Sequence, residues 1–276
     1  MLNITTLLSL FLLYNLTQTR NESFVVKQLA ETIEETSTPD AVINYIDGKR
    51  DKIVKETKTN TVATATAGNH GRSVAWGAQR LGINCKIFIS EFVSEERASA
   101  MRSLGAEVIR VKGNYDASLK ECLKKSKENN WEIVQDVSWE NYMEVPKYIM
   151  AGYSIMIKEI IDDLKDQKIS HVFLQAGVGG MAAAAIAGFA KFSKEIPRFI
   201  IVEPEDAKCV LESIKNSKPT SIDIKKESIM GGMSCGDVST VAWDILKNSA
   251  NHCLSISDEG ISSTVALLSN KVFSEN

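Results

Sequence analysis

At 276 residues the chain can bury a sizeable core, in two lobes more readily than in one compact domain. A 44% hydrophobic and 24% charged composition is that of an ordinary globular enzyme. The net charge of −3, with lysines and arginines scattered, argues against a nucleic-acid-binding face.

The first segment, MLNITTLLSLFLLYNL, holds an apolar run at 7–14 that is too short to span a bilayer as a helix. It resembles the apolar part of a signal peptide, yet no Lys or Arg precedes it and no small-residue cleavage site follows. Asn3, Asn15 and Asn21 head glycosylation tripeptides, which are common by chance. The expectation is a cytoplasmic chain with no membrane partner, and secretion is the alternative.

From residue 61 short apolar runs alternate with amphipathic stretches. TVATATAG reads as a strand, and GRSVAWGAQRLG as a helix with Val74, Ala75, Ala78 and Leu81 on one face. NCKIFIS is a strand. SEERASAMRSLG is a helix opened by Ser94, with acids in its first turn, and closed by Gly105. EVIRV is a strand, YDASLKECLKKSKENN a helix with Leu119, Cys122 and Leu123 inward, and WEIVQ closes the series. Residues 141–166 are expected to become helical after Pro146. A second series follows: strand SHVFLQ, small-residue helix GGMAAAAIAGFAKF, strand RFIIVE, helix AWDILKNSA and strand HCLSIS. The Lys/Ser-rich residues 216–228 read as a surface loop. Such alternation with short connections predicts parallel sheets covered by helices, an α/β fold.

The five cysteines (Cys85, Cys122, Cys209, Cys235 and Cys253) lie far apart, which argues against a disulfide framework and a metal site and predicts reduced thiols.

Parallel sheets bind ligands where strands run into helix N-termini. Two segments have that form. In AGNHG, Gly68 and Gly71 let backbone approach a ligand, and Asn69 offers a donor and an acceptor. In LQAGVGGMA, residues Gly177, Val178, Gly179, Gly180 and Met181 turn from an apolar strand into a helix, where N–H groups and the helix dipole form a phosphate cradle. That loop lacks the Lys-Ser/Thr of a P-loop and the full spacing of a dinucleotide site. Either loop alone is equally a tight connection. His70 reads as a structural hydrogen-bonder, and Met230, Met233 and Cys235 in IMGGMSCG as packing.

The pair AGNHG and QAGVGG resembles the pyridoxal-phosphate enzymes of the tryptophan-synthase-β fold (fold type II). GNHGRSVAWGAQRLG, ERASAMRSLGAEVI, WEIVQDVSWENY, VPKYIMAGY, IIVEPEDAKC and IMGGMSCG are similar to segments of the diaminopropionate ammonia-lyase family, collinearly over about 61–269. The resemblance implies a two-lobed fold, truncated at both ends, with an apolar leader and a remnant of the large domain at 1–60. A small domain carrying the Asn loop is expected at 61–145, and a partial large domain carrying the glycine loop at 146–276. It also implies pyridoxal 5'-phosphate as cofactor, a small amino-acid substrate, a homodimer and α,β-elimination of 2,3-diaminopropionate to pyruvate and ammonia. Asn69 would contact the ring hydroxyl, residues 177–181 the phosphate, and Asp136 would be an acid/base group. A threonine or serine dehydratase is the alternative suggested by TAGNHG, and VQDVSWENY and IMGGMSCG count against it.

Two departures from the family stand out. Aligning Ser23 and Phe24 of ESFVVKQLAE with the family phrase puts Val25 at the position of the lysine that binds the cofactor. Lys27 is two residues on, about 200° round a helix, and is the candidate only if that segment shifts. Ala67 stands where the family has an Asp, and a methyl group cannot transfer a proton. The expectation is therefore a cofactor-binding chain with impaired chemistry, or a non-catalytic relic of the family.

Overall fold

The computed structural model describes residues 60–165 and 167–269. Val25, Lys27 and the apolar leader lie outside the described residues. Two parallel sheets organise what is described. The first has strand order β3-β2-β1-β4 and the second β5-β6-β7.

The first sheet comprises β1 (Thr61–Ala65), β2 (Asn84–Ser90), β3 (Glu107–Val111) and the two-residue β4 (Glu132–Ile133). Helices α1 (Asn69–Leu81), α2 (Glu95–Arg102) and α3 (Tyr115–Asn129) make its crossovers. Helices cover both faces of β1, so Val62, Ala63, Thr64 and Ala65 are all buried, and only small or branched side chains fit. The predicted apolar stripe of α1 is the buried one: Val74, Ala75, Ala78 and Leu81 are all within 2% of fully buried. Ser94 accepts from the Arg97 N–H at the start of α2, and Asn114 from the Ala117 N–H at the start of α3. The α2 helix ends at Arg102, before the expected Gly105, which forms the left-handed turn beyond it at φ 84°.

The second sheet comprises β5 (His171–Gln175), β6 (Arg198–Pro204) and β7 (His252–Ile256), with α4 (Glu144–Leu164), α5 (Gly180–Phe192), α6 (Cys209–Lys215), α7 (Thr240–Ser249) and α8 (Asp258–Leu268). Helix α4 starts before Pro146, not after it. The proline lies in the first turn, where a missing N–H costs no intrahelical bond. The alanines at 182–185 are buried, and α4 runs close against α5: a Cβ on Gly188 would stand 2.9 Å from Ile157. Phe189 and Phe199 close the core with ring centroids 5.8 Å apart. Helices α6 and α8 were not expected from the pattern, being short or lacking a clear apolar stripe. Among the described residues β5 is an outer strand of its sheet, and its Phe173 is 66% exposed. All five cysteines are free thiols. Among the described residues no helix is long and apolar enough to cross a membrane.

Candidate active site

Both predicted loops leave the carboxyl ends of their strands, β1 and β5, and open on one cleft of about 1410 Å³ between the lobes. Ala67, Gly68 and Asn69 line one side, and residues 177–181 the other. Tyr115 and Asp136 also line it, and residues 227–235 close a further wall.

The Asn loop is held from beneath. The Thr66 Oγ1 accepts from the Gly68 and Gly71 N–H groups at 3.1 and 3.3 Å. Gly71 packs where a Cβ would stand 2.4 Å from Thr66 Cγ2 and 2.7 Å from Met101 Sδ, so the start of α1 lies hard against the sheet end. His70 turns inward and donates from Nε2 to the Val134 carbonyl at 2.8 Å, a structural role. Asn69 is exposed to the cleft, and its side-chain amide makes no hydrogen bond among the described residues.

The glycine loop presents the start of α5. That helix has no side-chain cap and no acidic residue in its first turn, so among the described residues no carboxylate or hydroxyl caps its leading N–H groups. Gly179 sits at φ 89° with the position of a Cβ 2.7 Å from Leu246 Cδ1, which only glycine satisfies. The loop is braced from outside the cleft. The Ser239 N–H donates to the Val178 carbonyl at 2.8 Å, and Cys209 Sγ lies 3.4 Å from the Gly177 carbonyl. Met230, Met233 and Cys235, expected to be packing residues, line the cleft wall instead. A Cβ on Gly177 would stand 3.1 Å from the Gly232 carbonyl and 3.2 Å from Cys235 Sγ, so this turn leans on the glycine loop. Burial, with Asp136, Asp116 and Asp237 nearby, pushes the Cys235 thiol up to about 12, so it is a neutral wall.

Asp136 follows β4 and reaches the same place: its backbone carbonyl lies 3.7 Å from where a Cβ on Gly180 would stand. The buried Gln135 before it organises the region. Its carbonyl accepts from Thr64 Oγ1 (3.0 Å) and the Ala65 N–H (2.9 Å). Its amide nitrogen lies 2.8 Å from the Ala65 carbonyl, 2.8 Å from the Tyr115 hydroxyl and 3.1 Å from Asp136 Oδ1. Burial and then the charge of Asp136 hold the Tyr115 phenol well above its ordinary value, so it stays protonated and can donate into the cleft. Sequence reasoning missed Thr66, Gln135 and Tyr115. The signal available for Gln135 was a polar residue ending an apolar strand beside a candidate acid.

Among the described residues the donor set suits a flat, anionic group: uncapped N–H groups and a helix dipole for a phosphate, and the Asn69 amide for a polar ring edge. Together with the two parallel sheets, it defines the two-lobed fold type II architecture. The chain belongs to the pyridoxal-phosphate dependent enzyme family, whose model matches residues 27–275. It is 36% identical over 213 residues to diaminopropionate ammonia-lyase of Escherichia coli K12, covering 76% of this chain and 54% of that protein. The Salmonella typhimurium diaminopropionate ammonia-lyase is 32% identical, over 75% of this chain and 53% of its own length. The crystal structure of holo diaminopropionate ammonia lyase from Escherichia coli superposes with a TM-score of 0.72 at 31% identity, over 92% of this chain and 60% of that one. The chain thus spans about half the length of the curated relatives it matches. Pyridoxal phosphate is the cofactor of this family.

Proposed function

We propose that this chain binds pyridoxal 5'-phosphate in the cleft and eliminates ammonia from 2,3-diaminopropionate, with impaired turnover, leaving aminoacrylate that water hydrolyses to pyruvate and a second ammonia. The convergence of Asn69, the uncapped start of α5 and Asp136 on one cleft carries the reading, and the identity to the two ammonia-lyases narrows the substrate.

When bound, the cofactor supplies an electron sink for negative charge at the substrate Cα. The protein's part is to bind, orient and move protons. Residues 177–181 would hold the phosphate, and Asn69 the edge of the ring. Asp136 would exchange a proton with the substrate, its carboxylate oriented by the Gln135 amide. The neutral Tyr115 phenol would donate a hydrogen bond beside it.

Ala67 favours a second reading, retention of the cofactor without turnover, because it brings no proton-transferring group to the Asn loop. Lys27 is the candidate for covalent attachment by the sequence reading, with Val25 at the position the family gives to lysine. The same reading extends to a small domain at 61–145, a large domain at 146–276, a homodimer and a cytoplasmic location.

The test is titration of the purified chain with pyridoxal phosphate, followed by borohydride reduction and peptide mapping. A visible band tracing to Lys27, with pyruvate formed from diaminopropionate, supports the enzyme. Saturable cofactor binding without pyruvate supports the second reading, and no saturable binding overturns both.

A further inference from the structure

Glu203 is a fully buried carboxyl group that the site described above does not use. It stands near the end of β6, and its two oxygens take separate partners. Oε1 accepts from the Val210 N–H at 2.8 Å and Oε2 from the Leu211 N–H at 2.7 Å. Both N–H groups belong to the first turn of α6, so the carboxyl fixes where that helix begins. The residue that opens α6 is Cys209, also fully buried, and its thiol faces the same carboxyl.

That thiol has a second acceptor. Cys209 Sγ lies 3.4 Å from the Gly177 carbonyl, at the start of the glycine loop. A thiol carries one hydrogen, which it gives to the Glu203 carboxyl or to the Gly177 carbonyl but not fully to both. An ionised carboxylate is the stronger acceptor and draws the hydrogen away from Gly177, whereas a protonated carboxyl leaves it on the carbonyl. Burial pushes Glu203 up to about 7, so the exchange between the two arrangements falls near neutrality. Cys209 and Glu212 act on it from α6 and Cys253 from β7, while Cys235 and Asp237 act on Cys209 from the far side. Burial holds the Cys209 thiol well above its ordinary range, so it keeps its hydrogen throughout.

We propose that Glu203 is a positioning residue for the glycine loop, its proton deciding whether the Cys209 thiol braces the Gly177 carbonyl. The neutral carboxyl leaves the loop braced and the cofactor phosphate tightly held; the carboxylate takes the brace away. The inference rests on the reading of residues 177–181 as the phosphate cradle. Binding is then linked to a proton on Glu203, so affinity falls as pH rises through neutrality.

The test uses the full chain and pyridoxal phosphate as probe, with dissociation constants measured calorimetrically between about pH 5.5 and 8.5. Each wild-type value is divided by that of E203Q at the same pH, which cancels the titration of the cofactor itself. Melting temperatures confirm that every variant is folded across the range. The wild type's affinity relative to E203Q should fall at least fivefold as pH rises, and less than twofold when both chains also carry C209A. The infrared S–H band of Cys209, isolated as the difference from C209A, should shift between the two ends of the range in the wild type and stay fixed in E203Q. A thiol bonded to the loop at all pH values would not move it. Should E203Q fail to fold, the wild type's affinity relative to C209A should fall in the same way, and the band shift in the wild type stands by itself. A flat ratio, a fall undiminished by C209A, or an unmoved band overturns the inference while leaving cofactor binding in place. Failure of the wild type to take up pyridoxal phosphate at any pH overturns the reading of the cleft and the inference with it.

Discussion

Ser138 and Ser239, 101 residues apart in the chain, bring their hydroxyls to 2.7 Å in a buried pair. Ser239 also accepts from the Ser138 N–H at 3.0 Å and donates its own N–H to the Val178 carbonyl at 2.8 Å. Ser138 Oγ in turn accepts from the Val241 N–H at 2.9 Å. Two residues beyond Asp136, the first lobe is thus fastened to the glycine loop of the second.

Ser239→Ala leaves the Ser138 N–H without its acceptor in a buried place. Such a group costs about 1–3 kcal/mol. The expected outcome is an unfolding free energy lower by that amount, seen as a lower urea midpoint, together with weaker pyridoxal phosphate binding, both read by titration. An unchanged midpoint would show that the pair contributes nothing to the lobe junction.

Gly179→Ala forces a side chain into left-handed backbone, at about 1–2 kcal/mol, and onto Leu246. Cofactor affinity should fall at least tenfold, since the loop must move to relieve the overlap. Fluorescence titration against the wild type checks this, with melting temperature as the control for folding.

Asp136→Asn keeps the shape and the hydrogen bond from Gln135 but removes the exchangeable proton. General acid–base groups contribute about 10²–10⁴ in rate. Any pyruvate formation from diaminopropionate should drop by that order while cofactor binding persists.

Ala67→Asp returns a carboxylate to the cleft lining beside Arg97. Turnover of diaminopropionate should rise above that of the wild type, measured as pyruvate formed per hour. No rise, with the cofactor bound, would mean that Ala67 is not what restrains the chemistry.

Stability should depend on pH through Glu203. Its buried carboxylate accepts from the Val210 and Leu211 N–H groups at 2.8 and 2.7 Å, and burial pushes it up from 4.5 to about 7 despite those bonds. Cys209 and Glu212 face it from α6, and Cys253 from β7. Between about pH 4.5 and 7 the unfolded chain gives up this proton while the folded chain keeps it, so this contribution to stability falls as pH rises and is flat above 7. The melting temperature should show that slope, and Glu203→Gln should flatten it.

Much of the fold was legible because strand and helix periods are local. TVATA, NCKIFIS, EVIRV and RFIIV carry their β character in consecutive residues, and the stripe of α1 lies within eight positions. The glycine loop was legible for the same reason, since strand, glycines and helix follow one another. The Pro146 boundary misled because a proline's missing N–H is harmless in a first turn and disruptive only further in. The cleft wall at 230–235 was missed because its glycines and methionines read alike in a packed turn and at a ligand's edge.

By itself the sequence determined which segments become strands and helices, and that two glycine-flanked loops would end parallel strands. These outcomes depend on side-chain spacing, charge placement and caps within a few residues. The tertiary structure alone decided that Gln135 would seat itself on Thr64 and Ala65, that Ser138 would meet Ser239, and that Arg97 would reach the Ala67 carbonyl. The hydrogen bonds among those contacts join residues 30 to 101 positions apart. Their partners are set by how the sheets stack and the crossovers return, which no local pattern encodes.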